Sequence, residues 1–345
     1  MRIPGIRARA AALFAAAALG IAGLALAPRA ARAAAASRCD RACLDGFVDQ
    51  YLAALVAHDP GRLPLTRDVR FTENGQQLVL GDGLWRTITG LGTYRMIVAD
   101  TAAHRVAFLG SIREAGAPAM LAFDLAVRHH RIAEIETLVQ RSARSAEGFE
   151  KIGYAWTATI PARDRMSRAA LVRVANMYFS GMQQNNGLGV YPFAKSCNRI
   201  ENGMFTTNRP VPPGQKRPNP ATAQRYSAEW SCMEQFKSGL LHFVTRIRDR
   251  RFVAVDPERG LVFAFCFFDH SAGNTRTFRI PDGNIVTEGP KQPWTWEIAE
   301  TFKIEHSKIH QIMAIMNHVP YGMTSGWSTW EQAFSSRARY LGPSY

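Results

Sequence analysis

The sequence predicts an α+β fold: two cone-shaped units in tandem, each a long helix followed by a strongly curved antiparallel sheet. Three observations carry this. Glu73-Asn74-Gly75 returns as Glu201-Asn202-Gly203, an offset of 128. Upstream, the helical stripe Leu44, Phe47, Val48, Tyr51, Leu52 and Leu55 is repeated by Leu171, Val174, Ala175, Tyr178, Phe179 and Met182 at 171 − 44 = 127. Downstream, the strand-like block 94–100 matches 250–256 at an offset of 156, and 131–135 matches 308–312 at 177. Two insertions in the second copy, the proline-rich 206–229 and the segment 271–293, account for the growing offsets.

In chain order, Arg2, Arg7 and Arg9, an alanine-rich apolar run and Ala31-Arg32-Ala33 form an export signal over 1–33, so a periplasmic or secreted protein is expected. Ser37 and Asp40 offer caps for a helix over 41–57, closed by Asp59-Pro60-Gly61. Asn74-Gly75 joins strands over 69–72 and 77–80 in a hairpin, and strands over 92–99, 105–113, 119–129 and 131–141 complete a first unit spanning 37–145. Ser167 caps the second helix, ending near Gln184. A strand over 194–201, a helix over 228–236 and strands over 240–246, 251–256, 261–269, 295–305 and 308–317 build a second unit over 150–330, with a tail over 331–345.

Ile309 and Ile312 cannot share one face of a regular strand, which predicts a β-bulge between them.

Removing 1–33 deletes five arginines, so the exported chain carries (42 − 5) − 28 = +9. The charge is scattered, without the aromatic-interleaved basic stripe of a nucleic-acid binder, and no later segment is apolar enough to span a bilayer. Export makes disulfides available to the five cysteines. Cys197 and Cys232 flank the proline-rich insertion and are placed to staple it; Cys39 and Cys43 pair only if the helix starts at or after them. Cys266 reads as a buried thiol. No His-x-Glu-x-His, Gly-x-Ser-x-Gly, phosphate-loop or dinucleotide motif appears, so neither metal nor cofactor is expected.

Tyr51, the helix end His58-Asp59-Pro60, Phe71-Thr72-Glu73-Asn74-Gly75 and Gly81-Asp82-Gly83-Leu84-Trp85 together resemble the SnoaL-like branch of the nuclear transport factor 2-like superfamily, and more closely an uncharacterised family of exported proteins carrying such motifs. The resemblance implies a conical half-barrel with an apolar pocket between helix and sheet, and sheet-to-sheet pairing, here within one chain, with homodimers possible as well. It also implies cofactor-free isomerases, dehydratases and lyases among the relatives, some acting on lignin-derived aromatics, beside plain binding modules.

A carboxyl among aromatics is raised in pKa and suits proton abstraction. This nominates Glu201, and the alternation of His306, Lys308 and His310 along an apolar strand nominates His310, as catalytic groups, with Tyr178 and Asn202 as polar partners and Tyr51, His58, Glu73 and Trp85 as counterparts in the first unit. The expected function is a lyase or isomerase using acid/base chemistry on a small aromatic or polyketide-like molecule. The alternative is a non-catalytic envelope protein that binds a hydrophobic ligand or serves dimerisation.

Overall fold

A computed structural model describes residues 39–153, 156–272, 277–287 and 289–341. The expected export signal over 1–33 and the cap Ser37 lie outside the described residues. Helix α1 (Arg41–Val56) starts where the Asp40 carboxylate accepts the Cys43 amide, and it buries Leu44, Phe47, Val48, Tyr51, Leu52 and Leu55. It is capped by Ala57, and the chain leaves it through His58, in the left-handed region at φ 56°, ahead of Pro60.

Six strands follow: β1 (Leu65–Glu73), β2 (Gln76–Gln77), β3 (Ile88–Asp100), β4 (Arg105–Glu114), β5 (Ala117–Arg128) and β6 (Arg131–Gln140), with a one-turn helix α2 (Leu84–Thr87) before β3. Their order is β2-β1-β6-β5-β4-β3. Helix α3 (Ala143–Ile152), which the sequence patterns do not predict, links this sheet to the remainder.

Helix α4 (Arg168–Gln184) is capped by Ser167 and buries the second stripe, Leu171 to Met182. After it come β7 (Phe193–Glu201), β8 (Met204–Phe205), α5 (Cys232–Ser238), β9 (Arg246–Asp256), β10 (Leu261–His270), the small hairpin β11 (Thr277–Arg279) and β12 (Ile285–Thr287), β13 (Trp294–Glu305), β14 (Lys308–Val319), α6 (Trp330–Ala333) and β15 (Arg339–Tyr340). The second sheet runs β8-β7-β14-β13-β10-β9-β15. It has the strand order of the first, with β15 added at the edge.

The sheets are mixed rather than wholly antiparallel. β1 lies parallel to β6 and β7 parallel to β14, because the strand after each helix returns beside the last strand of the meander rather than its first. The expected bulge is present: the register of β14 shifts between Ile309 and Gln311 against β7, and both Ile309 and Ile312 reach the same core. Residues 240–245 form turns instead of starting a strand, and the strand begins at Arg246.

Alternation along the strands explains where the core sits. On β5, Leu121, Phe123 and Leu125 face α1, while Met120 and Ala122 face the other sheet. The second sheet does the same, so Tyr94, Met96, Leu109 and Phe149 meet Phe263, Phe265, Met313 and Ile315 in one buried layer. Within that layer Arg251 forms a bidentate ion pair with Glu136. The second insertion packs on Trp230 and Leu240, which flank α5, and on Ala223 of the first, with Trp230, Leu240, Ile280 and Val286 fully or nearly buried around a small core of their own.

Both disulfides join neighbours in sequence order. Cys197–Cys232 ties β7 to α5, and Cys39–Cys43 forms although Cys43 stands in the first turn of α1, because Cys39 precedes the cap. Cys266 is a buried free thiol. No helix among the described residues is long and apolar enough to cross a membrane.

Candidate functional site

The repeated Glu-Asn-Gly is first of all a turn. Asn74 and Gly75 (φ 48° and 70°) and Asn202 and Gly203 (φ 46° and 73°) occupy successive left-handed positions, as a tight hairpin with native twist requires. Each asparagine amide then pairs with the neighbouring strand. Asn74 Oδ1 accepts the Val139 amide at 2.8 Å, and Asn202 Oδ1 accepts the Met316 amide at 2.9 Å while its Nδ2 donates to the Met316 carbonyl at 3.1 Å. Both polar ends of the Asn202 side chain are thereby spent on the sheet edge.

Glu73 is also occupied by structural partners. Its Oε2 accepts the Leu84 amide at 2.7 Å, and its Oε1 pairs with Arg141 at 2.8 Å. Tyr51 lies in a packed aromatic cluster, 4.6 Å from Phe123 and 5.5 Å from Trp85 between ring centroids. Phe108 stacks on Phe123 at 4.9 Å. His58 is held at the rim, its Nδ1 2.6 Å from the Trp85 carbonyl oxygen, in a surface cleft with Pro60, Leu80 and Arg86. These rings pack against one another in the core between α1 and the first sheet.

The structure separates Glu201 from His310. Glu201 stands opposite Ala314 at the end of β7, four residues along β14 from His310. His310 faces outward into an open cleft of about 830 Å³ with Trp156, Lys303, Glu305 and Gln311.

Beside Glu201 and Tyr178 stands a residue that the sequence motifs do not single out. The two-residue turn at 306–307 corresponds to that at 129–130, so position 300 corresponds to 300 − 177 = 123. Where the first sheet places the Phe123 ring against Tyr51, the second places the Glu300 carboxyl beside Tyr178. Glu300 and Tyr178 are each 1 % exposed. A signal for it exists: Ile298, Phe302 and Ile304 all face the core against α4, and period-two alternation puts Glu300 on their face.

Burial, and secondarily the Glu201 charge, push the Glu300 carboxyl well above the usual carboxylate range, outweighing the opposing pull of Arg199. Burial, then Glu300, raises the Tyr178 phenol in the same way. Tyr178 stands within hydrogen-bonding reach of both Glu300 and Arg199, so the three polar groups form one buried cluster.

Arg199 is the third member, 3 % exposed, with Nε 3.2 Å from Glu201 Oε1 and Nη2 donating to Gln235 Oε1 at 2.7 Å. Gln235 in turn donates to the carbonyls of Thr206 and Ser227, at 2.6 and 2.7 Å. The proline-rich insertion and α5 are thus tied to β7 beside Tyr178, with Phe236 5.4 Å from the Tyr178 ring and Cys197–Cys232 joining α5 to β7. The interior combines aromatic walls (Tyr178, Phe179, Phe193, Phe236, Phe302) with one buried carboxyl, one phenol and one arginine–carboxylate pair.

Comparison with known proteins adds a partial match. Residues 164–316 match the family model described as a domain of unknown function (DUF8021), a span that contains Tyr178, Arg199, Glu201, Gln235 and Glu300. No curated protein matches the chain. Among solved structures, a de novo designed protein with a curved beta-sheet is similar over 44 % of this chain and 88 % of its own, at 15 % identity and a TM-score of 0.23.

Proposed function

We propose that the chain is an exported protein of two SnoaL-like cones, over 37–145 and 150–330, whose second cone performs cofactor-independent acid/base chemistry on a small aromatic or polyketide-like molecule, as a lyase or isomerase. The shared strand order, the paired helix stripes and the two Glu-Asn-Gly turns support the tandem arrangement. The single observation that carries the chemistry is the fully buried Glu300 carboxyl beside Tyr178 among aromatic rings, its pKa pushed upward by burial.

In this reading Glu300 donates a proton to an oxygen of the bound molecule, Tyr178 orients that oxygen, and Arg199, neutralised in part by Glu201, stabilises charge developing on it. His310 takes no part. A second reading, a non-catalytic site for a hydrophobic ligand, is favoured by the stapled insertion tied to β7 beside Tyr178, which suits retention better than turnover.

The test uses Glu300→Gln, which keeps size and hydrogen bonding but removes the acid. A panel of small aryl ethers, aryl ketones and polyketide-like enols is incubated with protein and products are followed by mass spectrometry. Conversion by the wild-type chain, reduced about 10²–10⁴-fold in the variant at a melting temperature within a few degrees, is expected. Conversion at the wild-type rate in the variant would remove Glu300. A panel that is bound, as seen by native mass spectrometry, but never converted would favour the second reading.

A further inference from the structure

Away from the cones, Cys39, Cys43 and His130 bring three ligand atoms within 4.8 Å of one another. They come from separate parts of the chain. Cys39 and Cys43 bracket the start of α1, and His130 sits in the two-residue turn between β5 and β6, with Nδ1 3.7 Å from Cys43 Sγ. In the oxidised protein the two sulfurs are bonded to each other.

The two disulfides are built for different duties. Cys197–Cys232 spans 35 residues and both its cysteines are buried; Cys39–Cys43 spans 4, with Cys43 half-buried and the neighbouring His130 exposed. Accessible disulfides that close short loops are the more readily opened. Once opened, Cys43 lies in the first turn of a 16-residue helix, where backbone amides and the helix dipole favour a thiolate.

We propose that reduction of Cys39–Cys43 converts this corner into a binding site for a thiophilic d¹⁰ cation, Zn²⁺ or Cu⁺, with Cys39 Sγ, Cys43 Sγ and His130 Nδ1 as its protein ligands. A dithiol reductant supplies two electrons and two protons, the S–S bond breaks, and the reductant is oxidised to its own disulfide. On metal binding the two thiols release their protons to solvent. Thiolate sulfur at about 2.3 Å and tetrahedral angles place bound sulfurs roughly 3.8 Å apart. With the Cα atoms at 5.2 Å that separation needs side-chain rotation alone. The fourth position faces solvent, because His130 is exposed. The site is a redox-gated one: the same two sulfurs cannot be a disulfide and ligands at once.

The test treats the whole chain with a phosphine reductant, removes it without oxygen, counts thiols and titrates with Co²⁺ as the spectroscopic probe, then with Zn²⁺ in competition. One Co²⁺ per chain is expected, with thiolate-to-cobalt charge-transfer absorption that appears only after reduction and is displaced by Zn²⁺. His130→Asn, which tolerates the left-handed backbone of that turn (φ 57°), should weaken binding by about ten-fold or more. Absence of the absorption once two thiols beyond Cys266 are counted would overturn the proposal. So would wild-type affinity in His130→Asn, or binding retained by the Cys39→Ser/Cys43→Ser double variant.

Discussion

Gly203 has almost no room for a side chain. A Cβ there would stand 2.3 Å from the Ser145 carbonyl oxygen, and one on Gly148 would stand 2.2 Å from the Gly203 carbonyl oxygen. Both offending atoms are backbone, so neither can rotate away. Gly203→Ala therefore adds steric overlap to left-handed strain and is expected to cost about 2–4 kcal/mol, measured by urea unfolding. Gly214→Ala, also at positive φ but with nothing within 4 Å, should cost about half that or less.

At this scale the sequence was partly readable. Asn-Gly announced its turns, yet nothing local said that each asparagine would also bind the neighbouring strand. Glu300 was hidden because Glu297 and Glu300 look alike in Trp296-Glu297-Ile298-Ala299-Glu300; only the opposite parity of the two positions sends one into the cone and the other toward the first sheet.

Among elements, α5 depends most on a covalent link. It has seven residues and a complete capping box from Ser231 and Glu234, but a helix this short is not stable by propensity. Loop-closure entropy over the 35-residue separation gives the Cys197–Cys232 bond roughly 3–4 kcal/mol. The Cys197→Ala/Cys232→Ala variant should lose about that amount in chemical denaturation, and limited proteolysis should then cut first within 206–231. Removing Cys39–Cys43, with a separation of 4, should cost roughly half as much.

The long helices were legible because their apolar stripes and caps are strong and local. Helix α3 was not, since only Ser145, Ala146 and Phe149 are buried on it. The parallel pairing of β1 with β6 leaves no local trace at all, because it joins strands about sixty residues apart.

For the molecule as a whole, the layer between the sheets holds charge where a hydrophobic layer would serve. Glu297 is nearly buried there, and burial followed by the Glu136 charge raises its carboxyl to about 8 against the counter-pull of Arg251. A carboxyl whose folded value lies above its unfolded value of about 4.3 contributes stability that is full below that value and lost as pH climbs through about 8. His270 works the other limb: burial lowers its imidazole to about 4, so its contribution fades as pH falls from roughly 6.5 toward 4. Between them the most stable pH should be mildly acidic. Glu297→Gln should match the wild-type chain within about 0.5 kcal/mol near pH 5 and exceed it by about 1–3 kcal/mol at pH 9, read from denaturation midpoints at the two pH values.

The turns are covered crosswise: α3, which follows the first sheet, packs on Gly203, whereas Met323 and Thr324, which follow the second, close over Gly75. On a ribosome this makes the halves unequal. The later hairpin emerges to find its cover already made, but the earlier one must wait 323 − 75 = 248 residues, roughly 12–50 s at ordinary bacterial and eukaryotic elongation speeds, before its cover is synthesised. A chain cut before Met323 is therefore left with its oldest hairpin uncovered.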